Sequence, residues 1–204
     1  MLDHGSMTQV GLDSRTRDVG AAAILEVRIN ARLQPVHRGD RYEDPLAFLL
    51  ERSFPGSAVT GGGTLVSGDG EPLSCAIEAD VVGDRTAIAD AVVELLEAQG
   101  APRGSSLAID HGDTRFFGTN DGLALYLDGT GLPTEVYAEH DVNELLDRIH
   151  IALAETGALQ SFWEGPTVTA LYLYGPSVAA MGEALADLLA THPLTVGHRL
   201  AALT

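Results

Sequence analysis

Hydrophobic periodicity along this chain switches between the strand and helix repeats in a fixed order, and that order restricts the fold most. Ile24 to Leu33 (ILEVRINARL) alternates apolar and polar residues and predicts a strand. RYEDPLAFLLERSF follows, with Asp44 expected at a helix N-cap, Pro45 in the first turn, and Leu46, Leu49 and Leu50 on one face. Ala58 to Ser67 and Leu73 to Val82 predict two strands joined by Gly68-Asp69-Gly70-Glu71, a hairpin signal. Asp84 is expected to cap a helix carrying Ile88, Val92, Leu95 and Leu96, which Gly100 stops. Ser105 to Asp110 supplies a short strand. The order is β-α-β-β-α-β, the ferredoxin-like unit.

The second half repeats the pattern, without residue identity. Leu123 to Leu127 and Thr134 to Ala138 are expected to form a hairpin around Asp128-Gly129-Thr130-Gly131. Asp141 and Glu144 resemble a capping box ahead of a helix bearing Val142, Leu145, Leu146, Ile149 and Leu153. A short run from Gln160 to Glu164, a Gly165-Pro166 turn and the strand TVTALYLYG come next. Pro176 then opens a helix with Val178, Met181, Leu185, Leu188 and Leu189, and Thr195 to Leu203 closes as a strand. The reading is therefore α+β: tandem ferredoxin-like units over residues 23–112 and 113–204, with antiparallel sheets in close association. The sheets could stack face to face or pair at their edges; either relieves the liability of free edge strands. Residues 1–22 are polar and are expected to be a disordered tail, and MLDHGSM resembles a fusion scar.

Charge is the strongest global signal. The chain has 29 acidic and 12 basic residues, a net charge of −17, and every basic residue is arginine. Such a field opposes nucleic acid, whose affinity comes from phosphate neutralisation, and anionic membranes. It favours a basic or amphipathic protein partner and speeds encounter with one. The single cysteine, Cys75, excludes an internal disulfide and reads as a small core residue in LSCAIEADVV. No apolar run is long enough for a membrane span, and a reducing cytoplasmic setting is expected.

The stretch AVTGGGTLVSGDGEP (residues 58–72) raises the question of a phosphate-binding loop. A P-loop requires a lysine, and the chain has none. A dinucleotide fingerprint requires a third glycine where Val66 stands, and a helix where the pattern predicts strand. The glycines then mark a bulge or bend, or a place where a partner lies against bare backbone. Catalytic signatures are likewise missing. No nucleophile elbow is present, and Ser177 in GPSVA reads as a helix cap. The seven histidines form no metal motif. The two His/carboxylate stretches, VHRGDRYEDP and IDHGDT, read as turns, so no metal and no cofactor are expected.

The stretch VTGGGT … DGEP … CAIEADV, with RYEDPL ahead of it, resembles small acidic α+β immunity-type proteins of bacterial polymorphic-toxin systems. The resemblance lies in the first half of the chain. It implies inhibitory binding to a toxin, often one with a basic surface.

Three function classes follow. The first is a non-catalytic binding protein, an immunity or inhibitor type. Its partner would meet Gly61, Gly62 and Gly63 on a strand edge and the carboxylates Asp40, Glu43, Asp69 and Glu71. The second is an enzyme or small-ligand binder with a pocket between the sheets, lined by Tyr126, Tyr137, Trp163, Tyr172 and Tyr174. The third is a self-assembling module whose edge strands pair into a homo-oligomer.

Overall fold

The computed structural model describes residues 22–203. The expected disordered tail lies almost wholly outside the described residues. The chain is mixed α+β, with two separate antiparallel sheets.

The first sheet contains β1 (Ala23–Ile29), β2 (Ala58–Val66), β3 (Pro72–Val81), β4 (Ser105–Ile109) and β5 (Arg115–Phe117), in the spatial order β2-β3-β1-β4-β5. Three helical pieces join β1 to β2: α1 (Pro35–Arg38), a π-helical turn (Gly39–Glu43) and α2 (Asp44–Ser53). α3 (Arg85–Ala98) links β3 to β4, capped by Asp84, which accepts from the N–H groups of Thr86 and Ala87. Alternation on β1 sends Ala23, Leu25, Val27 and Ile29 inward. There they join Leu46 and Leu50 of α2 and Ile88, Val92 and Leu96 of α3 in one core. Each such fully buried aliphatic side chain contributes about 1.5–3 kcal/mol.

The second sheet contains β6 (Asp121–Asp128), β7 (Ala158–Glu164), β8 (Val168–Gly175) and β9 (Arg199–Leu203), in the order β7-β8-β6-β9. α4 (Thr134–Glu139) and α5 (Val142–Leu153) lie between β6 and β7; α6 (Val178–Thr191) lies between β8 and β9. Leu123, Leu125 and Leu127 of β6 and Leu171 and Leu173 of β8 pack on Leu145, Ile149 and Leu153 of α5 and on Met181 and Leu185 of α6.

The opposite face of this second sheet is covered too. Ala124, Ala170, Tyr172 and Tyr174 belong to the core of the first half. They meet the segment that leaves β1: the N–H of Arg32 donates to the Tyr174 hydroxyl (2.7 Å), and the N–H of Gln34 donates to Ser161 Oγ (3.1 Å). The sheets share no ladder. The inner face of the second lies against the end of the first, where β1 and the β2–β3 hairpin run out. Among the described residues nothing covers the non-helical face of the first sheet, and that asymmetry positions the candidate site.

Several expectations are corrected. Thr134–Ala138 is not a strand but most of α4. Asp128 accepts from the N–H groups of Thr130 and Gly131, which turns the chain away from β6, and β8 takes the neighbouring place in the ladder. Four or five residues of alternation are too few to tell helix from strand. Asp44 is not an N-cap, and VHRGDRYEDP is not a turn: helix begins at Pro35 and runs through the π turn into α2. The link expected near Gly112–Gly122 contains β5, which extends the first sheet. The closing strand begins at Arg199, after a 3-10 turn at Pro193–Thr195.

Candidate functional site

Direct cross-strand pairing fixes what the open face of the first sheet carries. One row reads Gly61, Glu78, Glu26, Ala108 across β2, β3, β1 and β4. The next reads Gly63, Ala76, Arg28, Ser106, Phe116, reaching β5. A third places Ala58, Asp80 and Ile24 side by side. The centre is small residues and carboxylates with one cation, the exposed Arg28, beside them, and exposed Ile24, Leu65 and Phe116 surround it; Phe116 is 73% exposed. Glu26 and Glu78 stand directly opposite each other, an arrangement that costs stability in an isolated sheet. His111 Nδ1 lies 3.0 Å from Glu26 Oε2 at one margin.

The three glycines divide between the faces. Gly61 and Gly63 lie on the open face, and a Cβ on Gly63 would meet nothing within 4 Å. Gly62 points the other way, where a Cβ would collide with the Glu43 carboxylate. The ladder also slips between Val59 and Gly61, so β2 carries the bulge that its composition suggests. What lies against the bare backbone is a side chain of the same molecule. Glu43 is held there by Arg38 Nε (2.7 Å), and Arg38 Nη1 donates to Thr64 Oγ1 (2.7 Å). The π turn brings residues five apart onto one side, which an α-helix does less well. Arg38 is buried, and sequence reasoning misses it; its spacing from Glu43 looks unremarkable until the turn is known to be π-helical.

Glu71 joins the two halves. Its Oε1 accepts from Arg32 Nη1 (2.5 Å), the Tyr126 hydroxyl (2.8 Å) and the Tyr172 hydroxyl (2.9 Å). Burial, then this hydrogen bond to Glu71, pushes the Tyr172 phenol far above its ordinary value; Tyr126 moves the same way for the same reasons. Asp40 is exposed on the π turn, and Asp69 is exposed in the hairpin turn. The structure thus separates the predicted partner residues. Gly61 and Gly63 share the open face, Glu43 and Gly62 meet beneath it, Glu71 sits at the junction, and Asp40 and Asp69 stand apart.

The aromatic candidates behave as packing groups. Tyr172 and Tyr174 are fully buried, and Tyr126 and Trp163 pack against the same core. Tyr137 stands apart on α4, where its hydroxyl accepts from the Leu132 N–H (3.1 Å) and donates to the Asp128 carbonyl (3.3 Å). Tyr126 alone of these five lines an open cleft of about 340 Å³, together with Asp128, Thr130 and Arg199; the Arg199 guanidinium lies 3.8 Å above its ring centroid.

Other chemical candidates resolve locally. Cys75 is buried, its Sγ 3.4 Å from the Ala31 carbonyl, and burial pushes its thiol pKa up. Ser177 caps α6 by accepting from the Ala180 N–H (3.3 Å). IDHGDT is a turn in which Asp110 and His111 both have positive φ. Among the described residues no group of three or more His, Cys, Asp or Glu side chains is arranged to hold a metal ion. No helix among them is long and apolar enough to cross a membrane.

No family model matches the chain, and no curated protein matches it. Similarity to solved structures is faint. An unknown protein from Galdieria sulphuraria aligns over 89% of this chain and 96% of that one, at 10% identity and a TM-score of 0.27. TiaS, in a complex with a transfer RNA, AMPCPP and agmatine, aligns over 82% of this chain at 10% identity and a TM-score of 0.34; this chain spans 56% of that one. An anthrone oxidase-like protein aligns over 89% of each chain, at 12% identity and a TM-score of 0.29. Scores this low carry no argument about chemistry.

Proposed function

We propose that this is a non-catalytic binding protein, an immunity or inhibitor type built from tandem ferredoxin-like units, whose partner is a basic protein docking on the open face of the first sheet. The observation that carries the reading is the Glu26–Glu78 pair on that uncovered face, with Asp80 beside it. A partner arginine or lysine seated between the carboxylates removes their repulsion, and small residues let the partner approach closely. Exposed Ile24, Leu65 and Phe116 supply apolar contacts around the charged centre. A second copy of this chain fits less well, because self-pairing through this face sets the carboxylates of one copy against those of the other. The net charge of −17 favours a basic partner over nucleic acid or an anionic membrane. A bacterial cytoplasmic setting suits a chain whose single cysteine is a buried thiol. The alternative, an aromatic-lined pocket between sheets, is disfavoured by the tyrosines themselves, which fill the junction instead of lining a cavity.

The test is surface plasmon resonance against the product of the neighbouring reading frame, and against that product's isolated basic domain. Binding with an association rate that falls as salt rises, and that is lost in E78R/D80R, supports the reading. Binding that survives the double reversal, or no binding to a basic partner, overturns it.

A further inference from the structure

A groove of about 590 Å³ lies between α5 and α6. α5 contributes Arg148, Ile151 and Ala152 to it, and α6 contributes Ala184, Asp187 and Leu188. Spacings of three and four residues place each set on one side of its helix. The buried stripes of both helices pack on the second sheet, and the groove opens to solvent on the other side. Ile151 is 76% exposed, the most exposed large apolar side chain among the described residues. It lies off the stripe of Leu145, Ile149 and Leu153, so packing within the molecule does not account for it. Beside it, Ala152 and Ala184 leave room, and Leu188, only 7% exposed, lies beneath. One patch therefore offers both an apolar knob and an apolar hollow.

Its charges are complementary in the same way. Arg148 and Asp187 stand on opposite helices along the groove, and neither is in an ion pair among the described residues. A basic partner of the kind suited to the acidic sheet face would meet Arg148 here. A copy related by a two-fold axis meets no such conflict, because each residue of one copy then faces its complement on the other. Arg148 of each copy faces Asp187 of the other, and Ile151 of each enters the hollow of the other. The net charge of −17 opposes association, but beyond about 8 Å it is screened at physiological salt, which leaves the local pairs to decide.

We infer that the α5–α6 groove is the interface of a homodimer, with a second copy of this chain as its occupant. The contact is helix on helix, ridge into groove. It leaves the strand edges and the acidic sheet face free, so each dimer presents two such faces. The inference does not rest on the proposed basic partner.

Sedimentation velocity and light scattering of the full chain, up to its highest soluble concentration, test this. A concentration-dependent equilibrium between monomer and dimer is expected. I151E, at an exposed position, is expected to remain folded by circular dichroism and to stay monomeric. R148E and D187R each turn two opposite-charge pairs into like-charge pairs, and each is expected to weaken the dimer by about 10- to 100-fold. Mixed in equal amounts, R148E and D187R restore both pairs between unlike chains. The mixture is expected to dimerise at a concentration where neither variant does alone. A wild-type chain that stays monomeric, leaving the groove to a different partner, would overturn the inference. So would a dimer that survives I151E, as strand-edge pairing would, or a mixture of the two charge variants that stays monomeric.

Discussion

Glu43 occupies the space that a side chain on Gly62 would need, and Arg38 holds it there. The Ala76 carbonyl oxygen also stands 3.1 Å from that Cβ position. G62A is therefore expected to destabilise the fold by about 1–3 kcal/mol, since Glu43 must leave its partner or the strand must shift. G63A, one residue on and facing open space, is expected to stay within about 0.5 kcal/mol of wild type. Urea unfolding of both variants checks the pair, and G62A is expected to cost less in an E43A background than in the wild-type chain, because the carboxylate it collides with is gone. Equal effects at the two glycines would refute the account.

At the junction, three donors share one oxygen of Glu71. E71A leaves the Arg32 guanidinium and two phenols without their acceptor. Glu71 and Arg32 are 19% and 24% exposed, so the expected loss, about 2–3 kcal/mol, lies just below the range for fully buried pairs. Y126F removes one neutral donor and is expected to cost about 1 kcal/mol. Denaturation followed by Trp163 fluorescence and by circular dichroism reports whether the halves still unfold together in E71A; two separated transitions are expected if Glu71 is the principal tie.

Alkaline pH acts on the same junction. Burial raises the phenol pKa values of Tyr172 and Tyr174 well above the ordinary value, with the Glu71 hydrogen bond adding to the effect at Tyr172. The neutral phenol is the form the fold favours. Their contribution is complete below the unfolded pKa of about 10 and declines as pH rises above it. Tyrosinate absorbance and unfolding are expected to rise together above that pH, and Y172F is expected to weaken the dependence.

The acid limb has a different source. Burial, then Arg148 and His140, lowers the His192 pKa, and His192 Nδ1 accepts from the Leu194 N–H (3.2 Å). The neutral ring is favoured in the fold, so stability is full above the unfolded pKa of about 6.5 and falls as pH drops below it. H192N keeps an acceptor without a titrating group and is expected to flatten stability between neutral and mildly acid pH.

On the open face, E78R replaces a like-charge cross-strand pair with an opposite one. Stability is expected to rise by about 0.5 kcal/mol in low salt, with no gain in high salt. Guanidinium is unsuitable for this comparison because it is itself a salt, so urea unfolding is the measurement.

Much of the element order is legible in residue pattern. Alternation on β1 and β3 and the apolar stripes of α3, α5 and α6 stand where the periodicity predicts them, because period and capping are local properties. Thr134–Ala138 misleads for want of length, and the helical run before α2 escapes notice because a π turn has no marked residue signature. The candidate site is legible only in fragments. Gly61–Gly63 stand out as bare backbone, but which glycine faces outward depends on a bulge at Thr60. Glu71 reads as a surface carboxylate of a turn, yet its donors come from positions more than thirty residues away.

Residue type and spacing alone carry the α+β alternation, the acidic field and the lack of a lysine-bearing P-loop motif. That the second sheet is covered on both faces while the first, among the described residues, is left open on one emerges only when the chain is folded. It rests on Tyr126, Tyr172 and Tyr174 meeting Arg32 and Glu71 across the junction. Such contacts between distant segments leave no local periodicity, and they determine which carboxylates are spent inside the molecule and which remain on its surface.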